Sequence, residues 1–341
     1  MPVDIDFHLP FPAPCTAPQA VERARARGVE WACELGLLPR TEQAADYFLS
    51  LRLDDVATGF GPGARGADLD VMTDVITWTA ICDDFFDGTA GDHPDTARAA
   101  VAALSASVGD RPPGPAGRHP AGPLAEATAD LWGRMARPMS PSWQVRARAN
   151  WHRFLRSFLA EAEARHEGSV PTTAEYFALR RETMAMYVYL DAAERAGRYE
   201  VPDQVLASAP VRELARLQIE ILACCNDVHS VEHEQARGDT HNLVLVLERR
   251  EGLDRAAAIE RIRRWVHERS TRFLRVADGI PALCERMGLG AAEQGVTDRH
   301  VLAMQHQLRV TYDWSAATSR YSAQGARAGV PARRPRYLTI V

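Results

Sequence analysis

The chain has 341 residues, of which 46% are hydrophobic and 25% are charged, as is ordinary for a soluble globular protein. Its formal net charge of −5 argues against nucleic acid as the main partner, because phosphate-backbone binding needs a basic surface. All 40 basic residues are arginine, which excludes a Schiff-base or P-loop lysine and predicts that guanidinium groups hold any anionic substrate.

Apolar residues recur at three- and four-residue spacing along most of the chain, which predicts amphipathic helices. The helical segments, in chain order, are 18–36, 41–58, 68–87, 123–137, 141–166, 173–197, 210–236, 254–287 and 297–321. The third segment ends at Gly88, a residue type that commonly caps helices. The stretch 107–123 is rich in proline and glycine and predicts a connector. We therefore expect an all-α fold, with one domain over 1–321 and a flexible tail at 322–341.

The six cysteines form no CxxC pair and no regular framework, so we expect reduced thiols in a reducing compartment. The initial sequence MPVDIDFHLPFP is acidic and interrupted by proline, unlike a signal peptide. No uncharged apolar run reaches the ~18 residues that suggest a membrane helix. These features predict a cytoplasmic protein without a membrane span.

Three aspartates, Asp83, Asp84 and Asp87, follow a mostly apolar segment in the sequence CDDFFDG. On a helix, Asp83 and Asp87 share one face of the last turn, where the negative end of the helix dipole also lies. Crowded carboxylates favour a hard cation, and Mg²⁺ fits because it binds through one or two carboxylates together with water and substrate phosphate. The alternative is a solvated acidic helix end.

A second set of oxygen-bearing side chains, Asn226, Ser230 and Glu234, lies in the sequence NDVHSVEHE. Their four-residue spacing places them along one stripe of a helix, which predicts a second Mg²⁺ site; the alternative is a polar face with chance spacing. Two such helices, each rising from an apolar wall, predict a pocket with metal at its mouth. A diphosphate would bridge the metals while a hydrocarbon fills the interior.

Together, DDFFD and NDVHSVEHE resemble the two metal-binding motifs of bacterial class I terpene synthases. The overall sequence is most similar to sesquiterpene cyclases of the pentalenene synthase kind. Counterparts occur over nearly the whole chain, at MPVDIDFHLPFP, GADLD (66–70), FALRRETM (177–184), AERAGRYEVP (193–202) and SRY (319–321). The resemblance implies an α-helical barrel, a prenyl diphosphate as substrate and a cluster of three Mg²⁺ ions. It also implies that Asp83 binds two of these ions, while Asn226, Ser230 and Glu234 hold the third.

Further site residues follow from the resemblance. The family's diphosphate-sensing arginine matches Arg180, with Arg181 as the less favoured candidate. Arg320 and Tyr321 match a diphosphate-binding pair near the C-terminus. The alternatives are a surface charge for Arg180 and a packed helix end for Tyr321. The backbone carbonyl that assists ionisation is assigned to Met184, although the chain lacks the glycine usual in this helix break.

Two positions depart from the family pattern. His233 replaces the lysine often found before the motif glutamate, so diphosphate contact there would depend on pH. His229 replaces a tyrosine common one residue before the motif serine.

The expected chemistry is ionisation of an allylic diphosphate whose leaving group is neutralised by Mg²⁺, Arg180 and Arg320. A closed apolar cavity would keep water from the carbocation, and aromatic faces would stabilise it. Candidate wall residues are Phe60, Trp78 and Trp314, for each of which core packing is an equal alternative. The diphosphate itself would take the final proton.

The length of the substrate is less sharply specified. Thr79 and Ala80, just before the aspartates, are small and would admit the C20 geranylgeranyl diphosphate. The chain length and the overall sequence resemble those of enzymes that act on C15 substrates, so farnesyl diphosphate is favoured over the C20 substrate of a diterpene cyclase. The second motif and the lack of lysine disfavour a prenyl-chain elongase; a non-catalytic helical scaffold is the rival from another class. The product and the oligomeric state, including a homodimer, stay open.

Overall fold

The structure is a computed structural model that describes residues 5–109, 122–237 and 240–321. These residues form α-helices joined by short connections, and no β-strand occurs among them. The helices are α1 (Pro18–Glu34), α2 (Glu42–Ser50), α3 (Leu53–Phe60), α4 (Ala67–Phe86), α5 (Pro94–Ser107), α6 (Gly122–Ala136), α7 (Pro141–Glu167), α8 (Thr173–Thr183), α9 (Met186–Gly197), α10 (Asp203–Leu206), α11 (Ala209–Arg237), α12 (Leu243–Glu251), α13 (Arg255–Asp278), α14 (Ile280–Arg286) and α15 (Ala291–Ala317). A 3-10 turn, Ser319–Tyr321, follows α15. The predicted all-α fold class is confirmed for the described residues.

Three predicted segments are each divided into two helices. Arg52, between α2 and α3, and Ala185, between α8 and α9, adopt left-handed backbone conformations with φ of 57° and 54°. An α-helix cannot continue through a left-handed residue, so the chain changes direction at both. The third division falls between α13 and α14, where Pro281 in the first turn of α14 has no N–H for a continuing helix.

The sequence analysis missed α5, α10 and α12. In α5 half of the six buried residues are alanine, which gives only a weak amphipathic contrast. In α12 the five residues Leu243–Leu247 are all buried, so no helical period separates an apolar from a polar face. Helix α4 ends at Phe86 with Asp87 as its C-cap in a right-handed conformation, so the predicted cap at Gly88 is wrong. Most of the predicted connector and the whole tail at 322–341 lie outside the described residues.

The core consists of two apolar clusters that share helices. One is built mainly from α1 to α7, and the other from the segment 7–11 with α11 to α15. Helices α9 and α15 contribute to both clusters, since Val310 packs in the first and Leu308 in the second. This shared packing supports the proposal that residues 1–321 form one domain. Along the described ranges, no helix combines the length and apolarity needed to cross a membrane.

Helix α3 packs against α15 so closely that Gly59 has no room for a side chain. A Cβ added at Gly59 would lie 2.4 Å from Cγ2 of Val310, a stiff β-branched residue. We expect Gly59→Ala to destabilise the protein by about 1–3 kcal/mol in urea unfolding, because overpacking displaces α3 or α15. The matched control is Gly133→Ala in α6, where a Cβ meets nothing within 4 Å. It should stabilise by about 0.5–1 kcal/mol, and equal effects of the two changes would contradict this packing.

Candidate active site

A cavity of about 220 Å³ lies among α3, α4, α7, α8, α9, α11 and α15. Part of its wall is apolar or aromatic, formed by Leu51, Leu53, Val56, Phe60, Ile76, Ala80, Phe154, Met184, Ala185, Met186, Tyr189 and Trp314. The other part is polar and charged, formed by Thr79, Asp83, Asp87, Glu161, Arg165, Arg180, Thr183, Asn226, His233, Glu234, His241, Thr311, Arg320 and Tyr321. Carboxylates from α4 and oxygen-bearing side chains from α11 therefore reach the same cavity.

The aspartates at the end of α4 form a compact cluster. One oxygen from each of Asp83, Asp84 and Asp87 lies within 4.8 Å of the others, a spacing that could hold a metal ion. Arg320 reaches the cluster from beyond α15, with Nη2 donating to Oδ2 of Asp83 at 2.6 Å and Nη1 lying 2.9 Å from Oδ1 of Asp84. Burial lowers the pKa of Arg320, but Asp84 and Asp83 outweigh it and hold this pKa well above its ordinary value. Arg320 thus acts as a charged partner of the cluster.

The second set of oxygen-bearing side chains follows one stripe of α11. Asn226 donates from Nδ2 to the Tyr321 hydroxyl at 2.9 Å, and Glu234 accepts from Nδ2 of Asn242 at 3.0 Å. Between them, Oγ of Ser230 is buried without a hydrogen-bond partner in the described part of the chain. A buried hydroxyl without a partner is costly, and an amide, a hydroxyl and a carboxylate are oxygen donors that suit a hard divalent cation. This donor set therefore fits a metal site.

Arg180, in the last turn of α8, is tied to α11. Its Nη2 donates to Oδ1 of Asn226 and to Oδ1 of Asp227, both at 3.0 Å. Asp227 also accepts from the Tyr176 hydroxyl at 2.6 Å and from the backbone N–H of Leu243. Burial raises the pKa of Asp227, while Arg180 lowers it. This network, which the sequence analysis missed, orients Arg180 toward the cavity.

Arg181 has different surroundings. It does not line the cavity, and its Nη2 lies 3.6 Å from Oε1 of Glu220. Met184 caps α8 and lines the cavity beside Ala185, at the break that precedes α9. The role assigned to the Met184 carbonyl stays a prediction.

Four of the five predicted wall residues line the cavity, namely Phe60, Thr79, Ala80 and Trp314. The prediction for Trp78 is wrong. Its indole stacks on Trp151 with ring centroids 4.7 Å apart, and its Nε1 donates to Oγ1 of Thr128 at 2.9 Å. Neighbouring residues on a helix point in different directions, so Trp78 faces α6 and α7 while Thr79 faces the cavity.

Tyr189, which the sequence analysis missed, completes the aromatic wall. Its hydroxyl donates to Oγ1 of Thr79 at 2.8 Å, and its ring meets Phe60 edge-on at 5.2 Å between centroids. Burial raises the pKa of Tyr189, so the phenol stays protonated. The contact places the Tyr189 side chain beside the small residue at position 79.

The two histidines of the second motif lie apart. His233 lines the cavity, whereas His229 does not and packs near Phe7 and Tyr312, with ring centroids 6.5 and 5.9 Å away. Burial lowers the pKa of His229. Its imidazole is therefore neutral and lies partly buried beside these two rings.

Helix α7 adds Glu161 and Arg165 to the charged part of the wall. Burial raises the pKa of Glu161 to about 8, against the opposing effect of Arg165 and Arg180. Glu161 is therefore mostly uncharged at neutral pH. Glu161 and Arg165 are four residues apart and therefore share one face of α7. Glu–Arg pairs at this spacing are common in this chain, so the sequence alone does not mark these two as site residues.

We expect Asp227→Asn to lower the free energy of unfolding by about 3 kcal/mol, since it leaves the buried guanidinium of Arg180 without a counter-ion. Urea unfolding followed by circular dichroism measures this. The control on the same helix is Glu232→Gln, which removes a half-exposed ion pair to Arg255 and should cost less than about 1 kcal/mol. Equal costs for the two variants would show that the Asp227 network does not stabilise the fold.

Comparison with known proteins gives a consistent result. The family model "Terpene synthase family 2, C-terminal metal binding" matches residues 74–272. Pentalenene synthase of Streptomyces exfoliatus is 33% identical, with 96% of each chain covered. A (−)-β-caryophyllene synthase of Saccharothrix espanaensis, described as cyclising (2E,6E)-farnesyl diphosphate, is 36% identical over 99% of this chain and 93% of its own.

The chain belongs to the terpene synthase family.

Among solved structures, a single-site variant of cucumene synthase superposes with a TM-score of 0.80 at 34% identity, covering 92% of this chain and all of that one. The fold is therefore that of the class I terpene synthases, and the protein is a lyase-type enzyme acting on prenyl diphosphates. The predicted family, fold and enzyme class are confirmed. The family description names metal binding, in agreement with the aspartate cluster of this terpene synthase.

Proposed function

We propose that this terpene synthase is a Mg²⁺-dependent cyclase that ionises farnesyl diphosphate, cyclises the resulting carbocation to a polycyclic sesquiterpene and releases diphosphate. The observation that carries the proposal is a cavity that Asp83 and Asp87 of α4 and Asn226 and Glu234 of α11 line together. Another part of the same cavity wall is apolar and aromatic. A polar mouth for the diphosphate and a dry interior for the hydrocarbon are what this reaction requires.

The residues that would hold three Mg²⁺ ions fall into two groups. Asp83, Asp84 and Asp87 supply carboxylate oxygens from α4. Asn226, Ser230 and Glu234 supply an amide, a hydroxyl and a carboxylate oxygen from α11. When bound, Mg²⁺ would provide Lewis-acid neutralisation of the charge that develops on the departing diphosphate.

Three further residues would bind the diphosphate directly. Arg180 and Arg320 are each oriented by carboxylates and present guanidinium groups to the cavity. The hydroxyl of Tyr321 accepts a hydrogen bond from Asn226, so its own proton is available to a phosphate oxygen. Burial raises the pKa of Tyr321 to about 12, which keeps that proton in place.

The apolar wall would then protect and shape the carbocation. Phe60, Tyr189 and Trp314 present aromatic groups to the cavity, and aromatic faces attract cations by about 2 kcal/mol when water is excluded. None of these side chains takes up a proton readily. The released diphosphate itself can take the final proton.

A C15 substrate is favoured over a C20 substrate by the part of the wall around Thr79. The small Thr79 does not widen the cavity, because the Tyr189 hydroxyl lies 2.8 Å from Oγ1 of Thr79. A diterpene cyclase acting on geranylgeranyl diphosphate is the second candidate, and Ala80 is the wall residue that favours it.

The test is separate incubation with the C10, C15 and C20 diphosphates, with MgCl₂ or with EDTA. Products are identified by gas chromatography with mass spectrometry, and diphosphate release is measured in parallel. We expect a cyclic C15 product and Mg²⁺-dependent release from farnesyl diphosphate. Turnover of the C20 substrate alone would replace the C15 assignment, and no Mg²⁺-dependent release from any of the three would favour a non-catalytic helical protein.

A further inference from the structure

Asn242, which directly precedes α12, is fully buried and uses its whole side-chain amide. Its Oδ1 accepts from the backbone N–H of Val244 at 2.9 Å and so caps the first turn of α12. Its Nδ2 donates to the carbonyl oxygen of Asp227 at 2.8 Å and to Oε2 of Glu234 at 3.0 Å. One acceptor and two donors on a single short side chain are what an amide supplies, and neither a carboxylate nor a hydroxyl offers all three.

The two bonds from Nδ2 fasten Asn242 to two turns of α11. Asp227 and Glu234 lie about 10 Å apart along the helix axis, since each residue adds about 1.5 Å. Helical carbonyl groups point toward the C-terminus and side chains lean toward the N-terminus, so the Asp227 oxygen and the Glu234 carboxylate approach the same amide. Asn242 therefore holds the Glu234 side chain in one orientation relative to α11.

This orientation concerns the site because Glu234 lines the cavity, whereas Asn242 does not. A hydrogen bond to Oε2 selects one rotamer of the glutamate, and a carboxylate that accepts such a bond can still bind a cation. The next residue holds the other end of the stripe, because the backbone N–H of Leu243 donates to the carboxylate of Asp227, beside Asn226. The start of α12 thus supports both ends of the second set of oxygen-bearing side chains.

We propose that Asn242 is a positioning residue for the second metal site, which fixes the carboxylate of Glu234 before a divalent cation binds. This inference rests on the proposed function and adds the residue that prepares one of its metal ligands. A group that hydrogen-bonds to a metal ligand commonly contributes about ten- to a hundredfold in metal affinity. The physical reason is that a ligand which is already oriented loses less conformational entropy on binding.

The experiment measures Mg²⁺ affinity in the presence of inorganic diphosphate, from the rise in melting temperature of the full chain as MgCl₂ is added. We expect Asn242→Ser to weaken Mg²⁺ binding about tenfold or more. Serine is as good an N-cap as asparagine, so α12 stays capped while the amide that reaches Glu234 is lost. Raising MgCl₂ should bring diphosphate release by this variant back toward the wild-type rate, since excess ion compensates for a weakened site.

The matched control is Asn150→Ser in α7. It removes a similar amide contact to a buried carboxylate, from Nδ2 to Oδ2 of Asp191 at 2.9 Å, and neither residue lines the cavity. This control should lose stability but keep the wild-type affinity for Mg²⁺.

An Mg²⁺ affinity of Asn242→Ser within twofold of this control would overturn the inference, even if its melting temperature or kcat fell, because Asn242 would then only cap α12. Should Asn242→Ser fail to fold, Asn242→Thr decides in its place, since it also keeps a capping oxygen and lacks the amide: unchanged affinity overturns the inference. A wild-type chain that shows neither an Mg²⁺-dependent rise in melting temperature nor release of diphosphate from prenyl substrates would overturn this inference and the proposed function together.

Discussion

Replacing Asp83 by alanine is expected to abolish Mg²⁺-dependent release of diphosphate from farnesyl diphosphate, with a fall in rate of at least about a thousandfold. Asp83 lines the cavity and belongs to the cluster whose oxygens lie within 4.8 Å of one another. Its loss would remove one of the proposed metal ligands and also the carboxylate that Arg320 contacts at 2.6 Å. The measurement is the initial rate of diphosphate release at saturating Mg²⁺.

The control for this prediction is Asp95→Ala, which removes an exposed aspartate near the start of α5 that pairs with Arg98. It should leave the rate unchanged. The Asp83 side chain is 52% exposed, so Asp83→Ala should unfold at nearly the wild-type temperature, and its lost activity would not reflect misfolding. Normal turnover by folded Asp83→Ala would contradict the assignment of this cluster as a metal site.

Arg180→Ala is expected to lower kcat by two or more orders of magnitude, whereas Arg181→Ala should change it by less than about threefold. Arg180 lines the cavity and bonds to Asn226 and Asp227, so its charge is fixed where a leaving group would form. Arg181 lies outside the cavity lining, near Glu220. Steady-state kinetics with farnesyl diphosphate compare the two variants.

Arg180→Ala also leaves Asp227 without its buried partner, so a loss of stability accompanies the loss of rate. Rates must therefore be taken below the melting temperature of each variant. Arg180→Lys separates the two effects, because it restores a charge near Asp227 but not the planar fork that grips phosphate. If Arg181→Ala proved the slower of the two alanine variants, the sensor would have to be reassigned to Arg181.

The spacing of residues along the sequence predicted many of the helices and the two candidate metal-binding motifs. Asp83 and Asp87 lie one turn apart on α4, and Asn226, Ser230 and Glu234 lie along α11, because helical geometry alone fixes such neighbours. The long amphipathic helices were predicted for the same reason. Resemblance to known cyclases, rather than spacing, led to Arg180, Arg320 and Tyr321.

Features that depend on tertiary contacts could not be predicted in this way. Trp78 and Thr79 are neighbours in the sequence, and only the packing of α6 and α7 decides which of them faces the cavity. The ends of helices at Arg52 and Ala185 come from left-handed residues that carry no glycine signal. Arg165 and Tyr189 belong to the site because α7 and α9 pack around it, and nothing in their local sequence marks them.

The contact between Arg320 and the aspartates Asp83, Asp84 and Asp87 affects the order in which a divalent ion and diphosphate bind. A cationic side chain that already offsets part of the negative charge of this cluster competes with an incoming divalent ion, so the bare ion should bind weakly. When diphosphate enters, it offers Arg320 a new anionic partner and frees the carboxylates for metal. Substrate and ion should therefore raise each other's affinity by the same factor, as thermodynamic reciprocity requires.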